Sequence, residues 1–262
     1  MSVHDSLGRI ELTQSGPHAA LTIFNPARRN AMTLNMWKQL TEAIHELDAD
    51  PRVHLITLQG HEGTFVSGAD ISEFAKVRGS LEDAKAYEAV NSLSFAALRE
   101  SKTPTLALIE GFCFGGGIGI AAACDMRIAS ETARFAIPAA KLGLAYPVDG
   151  VADLVRLIGP GFTKRMFFTS EPVDAATALR IGFLEDVAPG EEFKARCKTL
   201  IAATLSRAPM THRAAKSAIA AHYDPSRRDA ALEDGAACFA SDDYQEGWKA
   251  FLEKRPPAFK GC

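Results

Sequence analysis

Residues 104–130 read PTLALIEGFCFGGGIGIAAACDMRIAS. Pro104–Ile109 is a compact apolar run and reads as a buried strand. It leads through Gly111 into Gly115-Gly116-Gly117, and the small apolar residues Ile118–Cys124 suit a buried helix. Met126–Ala129 and then Arg134–Ile137 read as two further short strands. Strand, glycine turn, helix, strand is the pattern of an α/β core. The triple glycine admits two readings. It permits a strand and a helix to pack tightly. It also lets the first N–H groups of a helix face a ligand at the positive end of the dipole, where an anion or a developing oxyanion is stabilised. Gly115, Gly117 and Ile120 do not fit the GxGxxG spacing of a dinucleotide fingerprint.

Upstream, Ile10–Thr13 and Ala20–Phe24 read as strands around a Ser15-Gly16-Pro17 turn. Thr33 is placed to cap a helix carrying Met36, Leu40, Ile44 and Leu47 at helical spacing, and His54–Gln59 is a strand ending at Gly60. A second glycine loop, Ser67-Gly68-Ala69-Asp70, follows. Asp70 is placed to cap the next helix, and Ala69 N–H is a second candidate donor. Leu81–Ser101 reads as a helix, mobile in character, with charge alternating with alanine. From Pro147 onward nearly everything reads as helix: Gly150–Ile158, Gly161–Thr169, Ala175–Ile181, Glu192–Arg207, Met210–His222, Arg228–Phe239 and Tyr244–Lys254.

Composition narrows the classes. Apolar residues at 47% and charged residues at 23% give a globular balance, and a net charge of -3 offers no global field for nucleic acid or an anionic membrane. The five cysteines show neither CxxC spacing nor a disulfide framework, and no histidine lies in metal-binding spacing such as HExxH. No apolar run is long enough for a signal core or a membrane span, so a cytoplasmic protein without a metal is expected.

Six phrases carry a resemblance. FNPARRNAM (24–32), FVSGADISEF (65–74), the stretch 104–130, FAIPAAKLGL (135–144), ALRIGFLEDV (178–187) and FLEKRPPAFKG (251–261) stand in the order and spacing of the crotonase superfamily, the enoyl-CoA hydratase/isomerase family. What the resemblance implies is an α/β, crotonase-like spiral of ββα units with a helical C-terminal trimerisation region. Residues 1–190 would form the core with the CoA site, and residues 191–262 the helical oligomerisation region. The expected partner is an acyl-CoA substrate. Coenzyme A arrives as part of that substrate and no separate cofactor is implied. The expected assembly is a homotrimer or hexamer.

By motif position the oxyanion hole falls on the N–H groups of Ala69 and Gly116. The adenine pocket falls beside Ser67, Gly68, Asp70 and Ile71. Phe251 and Lys254 would reach the nucleotide end of CoA from a neighbouring subunit, and Arg28 and Arg29 sit where the family's chain passes CoA. Two aimed donors stabilise a thioester enolate more than the neutral ground state.

The sequence departs from the hydratases of that family. Their two glutamates fall at Gly119 and Ala139, and the acid of several isomerases and hydrolases falls at Pro147. LGLAYPVDG (142–150) and KRMFFTSEPV (164–173) resemble the methylmalonyl-CoA decarboxylase branch, which shares a tyrosine at Tyr146 but has histidine where this chain has Ala69. Decarboxylation forms the enolate without a general base, so a non-hydratase reaction of malonyl type is favoured. Tyr146 is read as the donor that orients the reacting group, or as a core-edge aromatic with a satisfied hydroxyl. Asp149 is read mainly as the cap of the helix near Gly150, or as a base. Glu73 lines the acyl pocket or merely starts a helix, and Asp125 is structural. The rival readings are a hydratase or isomerase with Asp149 or Glu73 as substitute acid, and an acyl-CoA-binding or RNA-binding protein without turnover. Lys85 and Arg99 are the only cations of Leu81–Ser101, too few for an RNA face.

Overall fold

A computed structural model describes residues 8–262. Strands β1 (Arg9–Ser15) and β2 (His18–Phe24) form the expected hairpin, with Ser15 opposite His18. Thr33 Oγ1 accepts from Met36 N and caps α1 (Leu34–Ala49), whose inner stripe Met36, Trp37, Leu40, Ile44 and Leu47 is buried. Then follow β3 (Leu55–Gly60), the one-turn α2 (Phe74–Val77), α3 (Leu81–Glu100), β4 (Thr105–Ile109), β5 (Phe112–Phe114) and α4 (Gly116–Ala123). Next come β6 (Met126–Ser130), β7 (Arg134–Ala136), α5 (Ala139–Leu142), α6 (Val148–Thr169), β8 (Val173–Asp174), α7 (Ala175–Arg180) and β9 (Asp186–Ala188). Helices α8 (Phe193–Leu205), α9 (Pro209–Tyr223), α10 (Arg228–Phe239) and α11 (Asp242–Glu253) complete the chain.

The main sheet has six strands in the order β1-β2-β3-β4-β6-β9, parallel except for the hairpin. A second sheet has the order β5-β7-β8. Period-two alternation sorts the side chains of the main sheet onto two faces. Ala107 and Ile109 of β4 and Ile56 and Leu58 of β3 join the large core with α1, α3 and α4. Leu106, Leu108, Leu55 and Ile128 face the other way and are covered by Phe193 and Cys197 of α8. A parallel sheet covered on both faces needs strands that are apolar throughout, and β4 is buried along its length.

Helix α4 is apolar all round and buried from Gly117 onward, as a core helix must be. Its C-terminal carbonyls are met by the buried Arg127. That side chain donates to Ala121 O and Cys124 O at 3.0 and 2.7 Å, to Phe183 O at 2.7 Å, and pairs with Glu185. Asp125 accepts from Thr105 N at 2.7 Å and from Lys216 Nζ at 2.6 Å, a tie between the sheet and α9.

Strands β5, β8 and β9 lie where the sequence reading had loop or helix. All are two or three residues long and exist through pairing with distant segments. The expected pair of helices around residue 160 is one helical run broken at Gly159, where φ is 70° and Pro160 follows. The cap expected at Asp149 is corrected: α6 begins at Val148 with Pro147 at its N-cap, so Asp149 lies inside the first turn and is exposed. Helix α3, read as mobile, buries Tyr87, Asn91, Ser94, Phe95 and Leu98.

Candidate active site

The second glycine loop is threaded between α1 and β5. Met32 N donates to Gly68 O and Asp70 N to Met32 O, both at 2.8 Å, while Val66 N donates to Phe112 O at 2.9 Å and Phe114 N to Val66 O at 2.8 Å. These bonds hold Gly68 and Ala69 beside the triple glycine. A Cβ added to Gly115 would lie 3.7 Å from Gly68 Cα. Gly115 turns the chain at φ 49°, ψ −116°, a conformation that costs an L side chain dearly. A Cβ on Gly117 would stand 2.8 Å from Val66 Cβ and O. So the tight-packing reading of the glycines holds at Gly117.

The ligand-facing reading is compatible with it. Gly116 opens α4, so its N–H is one of the helix's orphan donors. Neither that N–H nor the N–H of Ala69 has a hydrogen-bond partner among the described residues. Both residues line the same cavity of about 90 Å³. Both residues are half-buried, so the two unpaired donors stand open to whatever enters the cavity. They can take a carbonyl oxygen and stabilise charge that develops on it.

The cavity wall is mostly apolar: Trp37, Phe74, Phe95, Ile137, Leu142 and Leu144 line it with Ala139. Trp37 Nε1 is already spent on Tyr87 Oη at 3.0 Å. The Tyr146 hydroxyl donates to Gly115 O at 2.8 Å, and its ring meets Phe167 edge-on at 5.3 Å. Burial pushes the Tyr146 hydroxyl well above its ordinary range, so it remains a donor. Its single proton is therefore engaged with the glycine turn, and Tyr146 acts here as a positioning residue for that turn. Tyr146→Phe is expected to cost about 1 kcal/mol, the net worth of one hydrogen bond. Asp149→Ala, which would remove a cap where asparagine would keep one, should stay within about 0.5 kcal/mol of the parent, because the exposed Asp149 caps nothing. Denaturant midpoints check both, and an Asp149 variant losing as much as Tyr146→Phe would restore its role as a cap.

Three further polar residues line the cavity, and the sequence reading missed them. Arg78 Nη2 donates to Glu88 Oε1 at 2.6 Å, and the guanidinium lies 4.7 Å from the Phe74 ring and 4.1 Å from the Tyr87 ring. Asn91 lies one turn along α3 from Glu88 and is 6% exposed. Arg78 Nε, Glu88 Oε2 and Asn91 Oδ1 are all buried without a partner. Each such atom costs about 1–3 kcal/mol if left dry. Burial raises the Glu88 carboxyl above its ordinary value while Arg78 pulls it back. The available signal was the spacing of Glu88, Asn91 and Phe95 along one helix face.

Of the expected site residues, Ser67, Gly68, Ala69, Ile71, Gly116 and Tyr146 line the cavity. Asp70 does not. Its Oδ1 accepts from Ser72 N at 3.0 Å and Ser72 Oγ at 2.6 Å, so it caps the turn Ile71–Glu73. Glu73 accepts from Leu34 N at 2.6 Å, capping α1 from outside rather than lining the cavity. Arg28 contributes its carbonyl to Ser67 Oγ at 3.1 Å, and its side chain is exposed. Phe251 and Lys254 stand exposed on α11 and its C-cap, away from the cavity lining. Gly119 is buried, and a Cβ there would meet the Phe95 ring at 2.3 Å. No group of three His, Cys, Asp or Glu fit to hold a metal occurs among the described residues, and no helix is long and apolar enough to cross a membrane.

Comparison with known proteins sets this geometry in context. A family model described as enoyl-CoA hydratase/isomerase matches residues 16–262. The short-chain-enoyl-CoA hydratase of Clostridium acetobutylicum is 34% identical over 253 residues, 95% of this chain and 96% of that protein. The crotonyl-CoA hydratase of Syntrophomonas wolfei is 32% identical, covering 92% of this chain and 94% of its own. A crystal structure of an enoyl-CoA hydratase/carnithine racemase from Magnetospirillum magneticum superposes with a TM-score of 0.93 at 31% identity, over 97% of this chain and 96% of that one.

Proposed function

Because the chain belongs to the enoyl-CoA hydratase/isomerase family, we propose that it binds an acyl-CoA thioester and stabilises its enolate with the N–H groups of Ala69 and Gly116. The observation that carries this is the pair of unpartnered backbone donors, drawn from two adjoining loops into one apolar cavity. Donors fixed by the fold need no reorganisation as charge moves onto the thioester oxygen, and a dry surrounding strengthens them. Ser67, Gly68, Asp70, Ile71 and Arg28 belong to the loop side on which CoA would lie, and CoA enters as part of the substrate, with no further cofactor.

The finer reading is a reaction that reaches the enolate without the hydratase glutamates. At their motif positions stand Gly119, filled by Phe95, and Ala139. Malonyl-type decarboxylation meets that condition. The bond to the carboxylate breaks, CO2 leaves, and the electron pair becomes the enolate held by the two N–H groups. The second reading is enoyl-CoA hydration or isomerisation with a substitute acid. The names of the relatives favour it, and so does Glu88, the one carboxylate among the cavity-lining residues. Asp149 and Glu73, the other candidate acids, are not among those lining residues.

A homotrimer or hexamer in the cytoplasm completes the proposal. Phe239, Trp248, Phe251 and Leu252 give the helical end, which the resemblance assigns to residues 191–262, an exposed apolar face that a second copy would cover. Phe251 and Lys254 would then reach the nucleotide of a neighbour's CoA.

The test is turnover on a thioester panel. General acid–base groups contribute about 10²–10⁴-fold each, so crotonyl-CoA hydration is expected at least about 100-fold below an ordinary hydratase, with CO2 release from malonyl- or methylmalonyl-CoA. Ordinary crotonyl-CoA turnover without CO2 release would establish the second reading. Binding with no turnover of any thioester would reduce the protein to a carrier.

A further inference from the structure

We propose that Asn30 is a positioning residue for the oxyanion donor Ala69 N–H, acting through the turn 25–32 that holds the Ala69 loop at both ends. The inference rests on the reading of Ala69 as one of the two donors and holds whichever reaction follows. The Ala69 N–H makes no hydrogen bond of its own among the described residues, so its place is set by its neighbours. Ser67 N donates to Arg29 O at 3.2 Å, and Ser67 Oγ donates to Arg28 O at 3.1 Å. Met32 then spans Ala69: its carbonyl accepts from Asp70 N and its N–H donates to Gly68 O, both at 2.8 Å. All of these partners lie in residues 28–32.

That turn does not hold its shape unaided. Arg29 and Asn30 both sit in the left-handed region, at φ 51° and 57°. Such residues are costly for L side chains and persist only where the surroundings over-determine them. Asn30 supplies that determination. Asparagine visits this region more readily than most residues, and here its side chain is buried. Its Oδ1 accepts from Asn25 N at 3.0 Å and closes the turn on itself. Its Nδ2 donates to His61 O at 2.8 Å and to Thr64 O at 2.6 Å. Both carbonyls belong to the chain that runs into Ser67-Gly68-Ala69. One amide thus ties the turn to the start of the loop, while Arg29 and Met32 tie it to the end. An oxyanion donor serves only within about 2.7–3.1 Å of the oxygen. A misplacement of about 1 Å, caused by a residue remote from the chemistry, costs about 10²-fold. Asn30 does not line the cavity, so any effect it has on the hole passes through the loop.

Infrared difference spectra of bound butyryl-CoA read the hole directly, because donors to the thioester oxygen lower its carbonyl stretch. Asn30→Asp keeps the size and tolerates the left-handed backbone, but sets an oxygen where Nδ2 met the two carbonyls. The parent should lower the stretch, and Ala69→Pro should forfeit part of that shift. Asn30→Asp, shown folded by its thermal midpoint, should forfeit at least about half as much as Ala69→Pro does. Adding Asn30→Asp to Ala69→Pro should forfeit nothing further, because the donor being positioned is already gone. On a thioester that turns over, kcat should fall at least about 10-fold from Asn30→Asp alone and less than about threefold in the Ala69→Pro background. A purely structural Asn30 would move the thermal midpoint and leave the stretch in place, which overturns the proposal. Equal losses in the two backgrounds overturn it too. Should Asn30→Asp not fold, Asn30→Gly takes its place, since it keeps the left-handed backbone and deletes the amide. If neither folds, the amide holds the fold rather than the donor, and the proposal falls. An unshifted stretch in the parent would instead sink the assignment of Ala69 and Gly116, and failure of butyryl-CoA to bind would sink the acyl-CoA reading itself.

Discussion

Ala69→Pro is expected to lower kcat by about 10²–10³-fold on whichever acyl-CoA turns over, the usual cost of deleting one oxyanion donor. The substitution removes the N–H without breaking a backbone hydrogen bond of the loop. The bonds that fix the loop run through Gly68 O and Asp70 N, and Ala69 N–H itself has no partner. Thermal stability should therefore change little, and Ala69→Gly, which keeps the N–H, should retain most of the turnover. The matching experiment at Gly116 is not clean, because any Cβ there meets the Trp37 ring at 2.7 Å. Steady-state kinetics with a melting curve for each variant give the answer. A folded Ala69→Pro protein with undiminished kcat would falsify the assignment of the hole.

Gly119→Glu is expected to damage the fold rather than to install hydratase chemistry. Its Cβ would stand 2.3, 2.7 and 2.9 Å from three carbons of the Phe95 ring. That ring is 1% exposed and meets Trp37 edge-on at 5.7 Å. Overpacking a core costs about 1–3 kcal/mol, and burying an unpaired carboxyl adds to it. A loss of at least about 3 kcal/mol, roughly a 10 °C fall in Tm for a chain of this size, is the expected result. Phe95→Ala alone costs about 3–5 kcal/mol by opening a cavity. The double variant Phe95→Ala with Gly119→Glu should be less destabilised than the sum of the two by at least about 1 kcal/mol, since each change relieves the other. Strict additivity in denaturant titrations would mean that the ring does not fill the space over Gly119.

Local signals made α1, the hairpin, β3 and β4 legible. Each has its own periodicity and its own boundary residue, such as Thr33 or Gly60. Strands β5, β8 and β9 have neither. Asp186–Ala188 is a strand only because Ile128–Ser130 lies beside it, and no window of sequence contains that partner. The same division runs through the site. Ala69 and Gly116 are backbone donors placed by glycine loops, and glycine loops can be read from sequence. Glu88 and Asn91 are polar residues on a helix that also carries exposed charge. Without the packing of α3 against α1 and α4 they read as a solvated face. Asp149 misled for a local reason: aspartate often caps a helix, but Pro147 starts this one two residues earlier.

The two-faced burial of the main sheet has a consequence for how the protein is made. Leu55, Leu106, Leu108 and Ile128 are covered by Phe193 and Cys197. A ribosome delivers those strands first and their cover later. At roughly 5–20 residues per second, several seconds pass between the appearance of Ile128 and that of Phe193. For that interval the apolar residues of β3, β4 and β6 on that face have been made and their cover has not. Such a face is what holdase chaperones grip and what seeds inclusion bodies. Substitutions on the buried face of α8, an element that does not line the active-site cavity, are therefore expected to lower soluble yield before they touch turnover.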